Sequence, residues 1–227
     1  MINTGKLEAE LSHSFPKSRI FMSPEKVPAS HSYPAEWKGF GVTHAYSPWI
    51  PAKWERFKDH LPWTFNLLKK GLIGTALLSD DEPKLIYIFR DTDGFYFYLG
   101  APPISNNRPQ KAKTQELPED IKYFYLNLHN GFTFYPSQSM GPLPIELQVN
   151  ISDLYDGDSP SFISKLTGLL HNGAGDYLCI NLQKKSGHAS IWWHEAPDKI
   201  ESGFNFWKVM DTWISVFLED TIIQREL

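Results

Sequence analysis

The stretch LPEDIKYFYLNLHNGF, residues 117–132, begins the part of the chain whose pattern decides the fold. Pro118 suits the first helical position, and the two acidic residues after it suit the positive end of a helix dipole. Apolar residues then recur on one helical face, at Ile121, Phe124, Tyr125 and Leu128. We therefore expect an amphipathic helix that ends at Asn130-Gly131, followed by a strand over residues 132–135.

The residues after this helix predict further strands and two more helices. Residues 172–176, Asn-Gly-Ala-Gly-Asp, have the composition of a tight turn, and strands at 177–182 and 188–193 form a predicted hairpin. We also expect a strand over 144–149 and a helix over 159–171. Apolar periodicity predicts a last helix over 205–221, with a buried stripe formed by Phe206, Val209, Met210, Trp213 and Phe217.

The residues before the quoted stretch predict a separate group of elements. Residues 1–50 contain five spaced prolines and are expected to be an extended lead-in whose aromatic residues pack on the rest of the chain. Residues 101–116 are rich in Pro, Asn and Lys and are typical of a linker or exposed loop. Between these segments we expect a helix over 53–70 with a kink or break at Pro62, and then a three-stranded meander at 72–78, 84–90 and 95–99.

Together these patterns predict an α+β fold, with a mostly antiparallel sheet packed against helices. Residues 1–113 are expected to form an N-terminal extension with a helix and a three-stranded meander, and residues 114–227 the second domain. Of the 227 residues, 41% are hydrophobic and 21% are charged, which supplies a core and argues against a disordered chain. The formal net charge is +4 for residues 1–113 and −8 for residues 114–227. Such asymmetry indicates either a charged partner or a solvated face.

Composition also argues against several classes of function and location. The overall net charge of −4 is unlike that of nucleic-acid-binding proteins, which carry a basic patch. Cys179 is the only cysteine, so the chain forms no intrachain disulfide and no cysteine-based zinc site. No apolar stretch has the length of a membrane span, and no secretory signal is visible. We expect a cytoplasmic protein that binds neither nucleic acid nor membrane.

The motifs that would carry catalysis are incomplete. Residues 173–175, Gly-Ala-Gly, lack the third glycine and the strand-to-helix order of a phosphate-binding loop. His194 and Glu195 are neighbours at a predicted strand end and point to opposite faces, so they do not form an acid–base pair. Cys179 lies in an apolar strand, where a thiol stays protonated. The sequence predicts no enzyme, no cofactor and no metal site.

Acidic residues cluster in the predicted loops of the second half. They are Asp153, Asp156 and Asp158 in one loop, Asp176 after the glycine turn, and Glu195, Asp198 and Glu201 in the loop after two tryptophans. If these loops converge, they form a negative surface that attracts a basic partner. Trp192 and Trp193 point to opposite sides of their strand, so one of them is a candidate anchor for that partner. A merely solvated loop surface is the alternative interpretation.

The second half resembles the SUKH superfamily, the fold shared by yeast cell-wall-synthesis regulators and many bacterial immunity proteins. The similarity begins with residues 117–125 and Asn130-Gly131-Phe132, and it continues through residues 173–182 and 191–195. The closing helix of the family is matched by Phe206, Trp213 and Phe217. In all, the resemblance covers residues 114–221. Asn181 stands where an Asp is common in the family, which leaves the role of that carboxylate open.

The resemblance implies a protein that binds and does not catalyse a reaction. Many bacterial members of the superfamily are antidotes that are encoded beside a toxin and block it by occlusion. We therefore expect an immunity protein for a cognate toxin effector, delivered by a type VI or contact-dependent inhibition system, whose active site the acidic residues and one tryptophan would cover. One alternative is a regulatory or adaptor module of the same fold. The other is an enzyme with a site between the two halves, where His44, His60 or His194 would meet a carboxylate.

Overall fold

The computed structural model of the chain describes residues 4–42, 48–105, 109–155, 159–184 and 188–223. It confirms an α+β fold in which antiparallel sheets combine with helices. The chain divides into two compact units, one formed by Met1–Pro102 with Leu218–Leu227 and the other by Pro103–Phe217. The division expected between residues 113 and 114 stays a prediction.

The strands of the first unit lie side by side in chain order. They are β1 (Arg19–Phe21), β2 (Gly74–Ser79), β3 (Lys84–Arg90) and β4 (Phe95–Gly100), and each pairs antiparallel with the next. The last three form the predicted meander. Residues 85–89 of β3 are all buried, so both faces of this strand are covered. Asp91 holds the turn that follows, because its Oδ1 accepts hydrogen bonds of 2.8 Å from the amides of Asp93 and Gly94.

The first helix is an element that the sequence analysis missed. α1 spans Thr4–Ser14, so the expectation of an extended lead-in is wrong for these residues. Leu7 and Leu11 lie one helical turn apart and are both buried. The prolines begin only at Pro16, after the helix has ended, so none of them interrupts it.

Pro62 separates two helices, as its position in the sequence predicts. A 3-10 helix spans Ala52–Phe57, and α2 spans Pro62–Lys70 with the proline in its first turn. Proline has no amide to donate to the preceding turn, so the earlier helix cannot run through it. Two shorter 3-10 helices lie at Pro24–Lys26 and Ala35–Trp37.

The described residues of the second unit include three α-helices, several 3-10 helices and a larger sheet. Its elements in chain order are α3 (Lys111–Thr114), α4 (Glu119–Asn127), β5 (Phe132–Tyr135), β6 (Gly141–Pro142), β7 (Val149–Asn150), β8 (Leu166–His171), β9 (Tyr177–Asn181), β10 (His188–Trp192), β11 (Ile200–Asn205) and α5 (Phe206–Phe217). The strand order of the large sheet is β11-β10-β9-β8-β6, and β7 also pairs with β8. The predicted helix after Leu117, the strand β5 and the hairpin β9–β10 are confirmed.

The predicted helix over residues 159–171 is wrong. A 3-10 helix covers Ile163–Lys165, and β8 then runs between β9 on one side and β6 and β7 on the other. Residues 166–170 are all buried, which suits a strand covered on both faces better than a helix with one apolar stripe. A short apolar run does not distinguish these two cases by periodicity alone, but the β-branched Thr167 favours a strand and Gly168 disfavours a helix.

The strand predicted over residues 144–149 is also wrong for most of its length. Ile145–Leu147 is a 3-10 helix, and only Val149–Asn150 is extended and paired, as β7. Asn130 explains the local turn, because its Oδ1 accepts a hydrogen bond of 2.9 Å from the amide of Ile145 and its Nδ2 donates to Glu146. A side chain distant in sequence therefore fixes this segment.

The last helix presents a different face from the one expected. Its buried residues are Phe206, Trp207, Met210, Asp211 and Ile214, whereas Val209 and Trp213 are half-buried and Phe217 is exposed. The helix starts directly after β11, a strand that the sequence analysis treated as loop. β11 is an edge strand and mostly exposed, so it lacks the buried apolar alternation that identifies a strand.

The large sheet has two differently covered faces. α5 contacts β9 and β10 on one face. The other face carries a cluster formed by Ile151, Ile163, Leu166, Cys179 and Trp192, onto which Val149, Tyr155, Tyr177 and Ile200 pack. Alternate residues of β9 point to opposite faces, so Leu178 and Ile180 face α5 while Cys179 faces this cluster. We call the second face the outer face.

Candidate partner-binding surface

Two connections leave the large sheet at the same end. In the strand ladders, Tyr177 lies opposite both His171 and Trp192, and Trp192 lies opposite Ile200. The turn 172–176 between β8 and β9 and the loop 193–199 between β10 and β11 are therefore neighbours. Three of the acidic residues singled out in the sequence, Asp176, Glu195 and Asp198, lie in these two connections.

Asn172 organises the glycine turn. Its Oδ1 accepts hydrogen bonds from the amides of Ala174 (2.9 Å) and Asp176 (3.2 Å), and its Nδ2 donates to Asp176 Oδ2 at 2.7 Å. Gly175 has φ +104°, a conformation that other residues rarely adopt. A Cβ at that glycine would also lie 3.0 Å from the His194 ring, so the turn needs glycine for the ring to approach.

Asp176 joins the turn to the neighbouring loop. Its Oδ1 accepts a hydrogen bond of 3.0 Å from the His194 amide and lies 2.8 Å from His194 Nδ1. Burial raises the pKa of this carboxyl, but hydrogen bonds from His194 and Asn172 outweigh burial and hold the pKa below its ordinary value. The Asp176 side chain is only 11% exposed. Its carboxylate therefore connects the two segments and contributes little to the surface charge.

His194 meets a carboxylate that the sequence did not suggest. The ring contacts Asp176 from the neighbouring connection, and its side chain stays 45% exposed. An aspartate and the histidine that it orients are two of the three members of a Ser-His-Asp triad, but both residues lie in the second unit, so this pair is not the site between the two halves that the enzyme alternative expects. In this structure, the Asp176–His194 contact holds His194 next to the glycine turn.

A third segment reaches the same end of the sheet through Tyr155. Its hydroxyl donates a hydrogen bond to the carbonyl oxygen of Pro197, and its ring centroid lies 6.3 Å from that of Trp192. Trp192 Nε1 also donates to Pro197 O, at 3.1 Å. These contacts bring the 3-10 helix Ile151–Leu154 to the loop that carries Asp198. The described parts of these loops are therefore neighbours at this end of the sheet, and a single negative surface formed by their carboxylates stays a prediction.

The two tryptophans have different positions. Trp192 is 5% exposed and belongs to the outer-face cluster, so it is a core residue and not an exposed anchor. Trp193 is half-buried, and its Nε1 donates a hydrogen bond of 3.0 Å to Glu201 Oε1. Glu201 lies on β11 and not in the loop where the sequence analysis expected it. It faces away from the outer face, together with Trp193.

Three of the acidic candidates have exposed side chains, namely Asp153, Glu195 and Asp198. Leu154 is 41% exposed beside Asp153 and was not identified from the sequence, although a large apolar residue in an acidic loop is a usable signal. Asp156, Asp158 and His44 lie outside the described residues. We use the name acidic end for Asp153, Leu154, Trp193, Glu195, Asp198 and Glu201.

The described residues offer neither a cluster of metal ligands nor a reactive thiol at this surface. Among the residues that the structure describes, no group of three or more His, Cys, Asp or Glu side chains is placed to hold a metal ion. Cys179 is buried, and burial raises the pKa of its thiol far above the ordinary value. None of the helices in the described ranges is both long enough and apolar enough to cross a membrane.

Comparison with known proteins identifies one family. The model of the SMI1 / KNR4 family (SUKH-1) matches residues 107–215, a range that contains the glycine turn, the loop 193–199 and the acidic end. No curated protein and no solved structure matches the chain.

Proposed function

Because residues 107–215 form a domain of the SUKH superfamily, we propose that this chain is an immunity protein that binds a cognate toxin effector and occludes its active site. The family is consistent with a toxin-immunity role or a role of the Smi1/Knr4 type. The observation that carries the proposal is the convergence of three segments into the acidic end. Its partner is a protein, and we place the encounter in the cytoplasm.

The acidic end has the composition of a protein-binding surface. Asp153, Glu195 and Asp198 supply exposed carboxylates, and Leu154 and Trp193 supply apolar contact area next to them. Such a surface suits a basic groove, for example one that a toxin uses to bind a phosphate-containing substrate. Charge complementarity accelerates the encounter, and the buried apolar contacts then set the lifetime of the complex.

The hydrogen bonds beneath the surface hold its loops in place before a partner arrives. Asp176 fixes residue 194 to the glycine turn, and Tyr155 fixes the Ile151–Leu154 helix to Pro197. Ordering loops during association costs affinity, so loops that are already held lose less. The arrangement therefore favours tight binding.

Two alternatives remain open to experiment. A regulatory or adaptor module of the same fold would bind a partner that is not a toxin, and a gene neighbour without a toxin domain would favour it. An enzyme is favoured by one contact, the Asp176–His194 pair, which would need a reacting group within hydrogen-bond distance of His194 Nε2. Turnover of a small compound that His194→Gln abolishes would establish that alternative.

Co-expression with the toxin encoded next to this gene tests the proposal. We expect the chain to rescue cell growth and to co-purify with the toxin in a stable complex. Asp153→Lys/Glu195→Lys/Asp198→Lys should abolish both effects. Glu8→Lys/Glu36→Lys/Glu55→Lys, which changes the net charge equally at exposed sites of the first unit, should retain them. Failure of the wild-type chain both to bind and to protect would refute the proposal.

A further inference from the structure

A concave site lies on the outer face, and its lining from β8, β9 and β10 comes from the ends of these strands that are away from the acidic end. It is an open groove of about 490 Å³ that crosses β8 to β11. Its lining residues are Phe162, Leu166, Asn181, Lys184, His188, Ala189, Ser190, Ile200, Ser202 and Gly203. None of them belongs to the acidic end, so the groove is a separate site.

The groove combines an apolar floor with an exposed aromatic wall. Leu166 and Ile200 supply apolar contact area within the outer-face sheet. Phe162 is 50% exposed, which is unfavourable for an aromatic side chain in water. A ligand that lies in the groove would cover this ring.

The polar groups of the groove can serve an anionic ligand. Ser190 Oγ and Ser202 Oγ lie 2.9 Å apart on neighbouring strands, and each hydroxyl can make a further hydrogen bond. Lys184 supplies a positive charge and His188 an imidazole, and none of the described lining residues is a carboxylate. The charge of the groove is therefore opposite in sign to that of the second half as a whole, since residues 114–227 have a formal net charge of −8. The groove therefore complements a carboxylate.

A bulge in the edge strand shapes the groove. The pairing of β10 with β11 shifts between Ala189 and Ser190, which leaves Gly203 as an extra residue with φ +93°. A bulge bends its strand and interrupts the ladder at the sheet edge. A Cβ at Gly203 would meet nothing within 4 Å, so glycine is needed there for backbone conformation and not for space. The bend also makes edge-to-edge pairing with a second copy unfavourable.

We propose that this groove binds an extended segment of the partner protein that carries an acidic side chain next to an aromatic or aliphatic one. Crossing four strands spans about 14 Å, which matches about four extended residues. The carboxylate would lie near Lys184 and the two serine hydroxyls, and the apolar side chain would lie against Phe162. The inference rests on the proposed function only in assigning this segment to the toxin.

A defined peptide tests the groove without the toxin. The probe is the capped pentapeptide Ser-Phe-Asp-Leu-Ser, titrated to about 5 mM while backbone amide shifts of the labelled full chain are recorded by NMR. We expect saturating shifts at Ala189, Ser190 and Ser202, and roughly fivefold weaker binding when the peptide Asp is replaced by Asn. Shifts spread over the whole surface, or none at that concentration, would overturn the inference.

Matched variants locate the binding. Lys184→Gln and Phe162→Ala should each weaken peptide binding at least threefold, whereas Lys199→Gln and Leu147→Ala, at exposed residues outside the groove, should not. If all four variants bind the peptide equally, the groove is not its site and the inference fails. Measured against the toxin, Lys184→Gln and Phe162→Ala should also shorten the lifetime of the complex. An unchanged lifetime with intact protection would refute the assignment to the toxin while leaving the immunity function standing.

Discussion

Single residues decide whether the loops of the candidate surface stay together, and Asp176 is the clearest example. Three hydrogen bonds end on its carboxylate, from the His194 amide, the His194 ring and the Asn172 side chain. Both oxygens are used, and the side chain is nearly buried. Loss of such an acceptor leaves donors without partners, which costs more than the hydrogen bonds contribute.

We predict that Asp176→Asn lowers the free energy of unfolding by about 1–2 kcal/mol. Whichever way the new amide is turned, its Nδ2 would face another donor, either Asn172 Nδ2 or the His194 amide. Urea denaturation measures the change, with Asp153→Asn as the matched control because Asp153 is exposed. Equal losses in the two variants would show that the Asp176 contacts do not stabilise the fold.

His171 gives a prediction for the dependence of stability on pH. Burial lowers the pKa of its imidazole, although a hydrogen bond to the backbone of Gln138 opposes this effect. Nδ1 lies 3.2 Å from the Gly173 amide, which donates to it, so protonation at Nδ1 would replace an acceptor with a donor. The folded chain therefore binds this proton less readily than the unfolded chain does.

The sign of the effect follows from linkage. Above the unfolded pKa of about 6.5, neutral His171 contributes its full share of the free energy of unfolding. As the pH falls from that value towards the lower pKa of the folded chain, this contribution is lost. We predict that the free energy of unfolding of the wild-type chain decreases from pH 7 to pH 5 more steeply than that of His171→Gln. Parallel curves for the two proteins in urea would contradict this assignment.

At the scale of elements, the sequence predicted best where one local pattern decides the structure. The meander β2–β4 and helix α4 have clear periodicity and turn residues, and both were found in place. β8 and β11 were missed, because their character comes from the sheet around them. Residues 166–170 of β8 are all buried because other elements cover both faces of the sheet there, whereas the bulged edge strand β11 is mostly exposed.

The bulge in β11 gives a prediction with an internal control. Gly203 and Gly94 both have open space around a Cβ, but only Gly203 has a left-handed φ, +93°. We predict that Gly203→Ala lowers the free energy of unfolding by about 1 kcal/mol and that Gly94→Ala leaves it unchanged or slightly raises it. Thermal unfolding of both variants measures the difference. A fully tolerated alanine at position 203 would rule out backbone strain there.

At the scale of the whole molecule, the candidate site was predictable in composition but not in geometry. Counting charges located the acidic loops, and alternation along a strand showed that only one of two neighbouring tryptophans could be exposed. The contacts that join the loops, Asp176 with His194 and Tyr155 with Pro197, link residues 18 and 42 positions apart. Local sequence patterns do not predict such contacts, because the contacts depend on which strands become neighbours in the sheet.

The charge distribution of the molecule also sets how it should meet its partner. The carboxylates of the acidic end act over about one Debye length, roughly 8 Å at physiological salt. Electrostatic attraction of this kind raises the association rate and weakens as salt increases. The proposed immunity function requires a fast encounter, because the chain must then reach the toxin before the toxin reaches its substrate.

The association rate constant with the toxin, measured by stopped flow at low and high salt, tests the central claim most directly. For the wild-type chain and for Glu8→Lys/Glu36→Lys/Glu55→Lys, we predict fast association that slows as salt increases. For Asp153→Lys/Glu195→Lys/Asp198→Lys, we predict association at least about tenfold slower at low salt, with the salt dependence abolished or reversed. Equal rate constants and equal salt dependence in all three proteins would contradict the claim that the chain works by covering a basic partner with its acidic end.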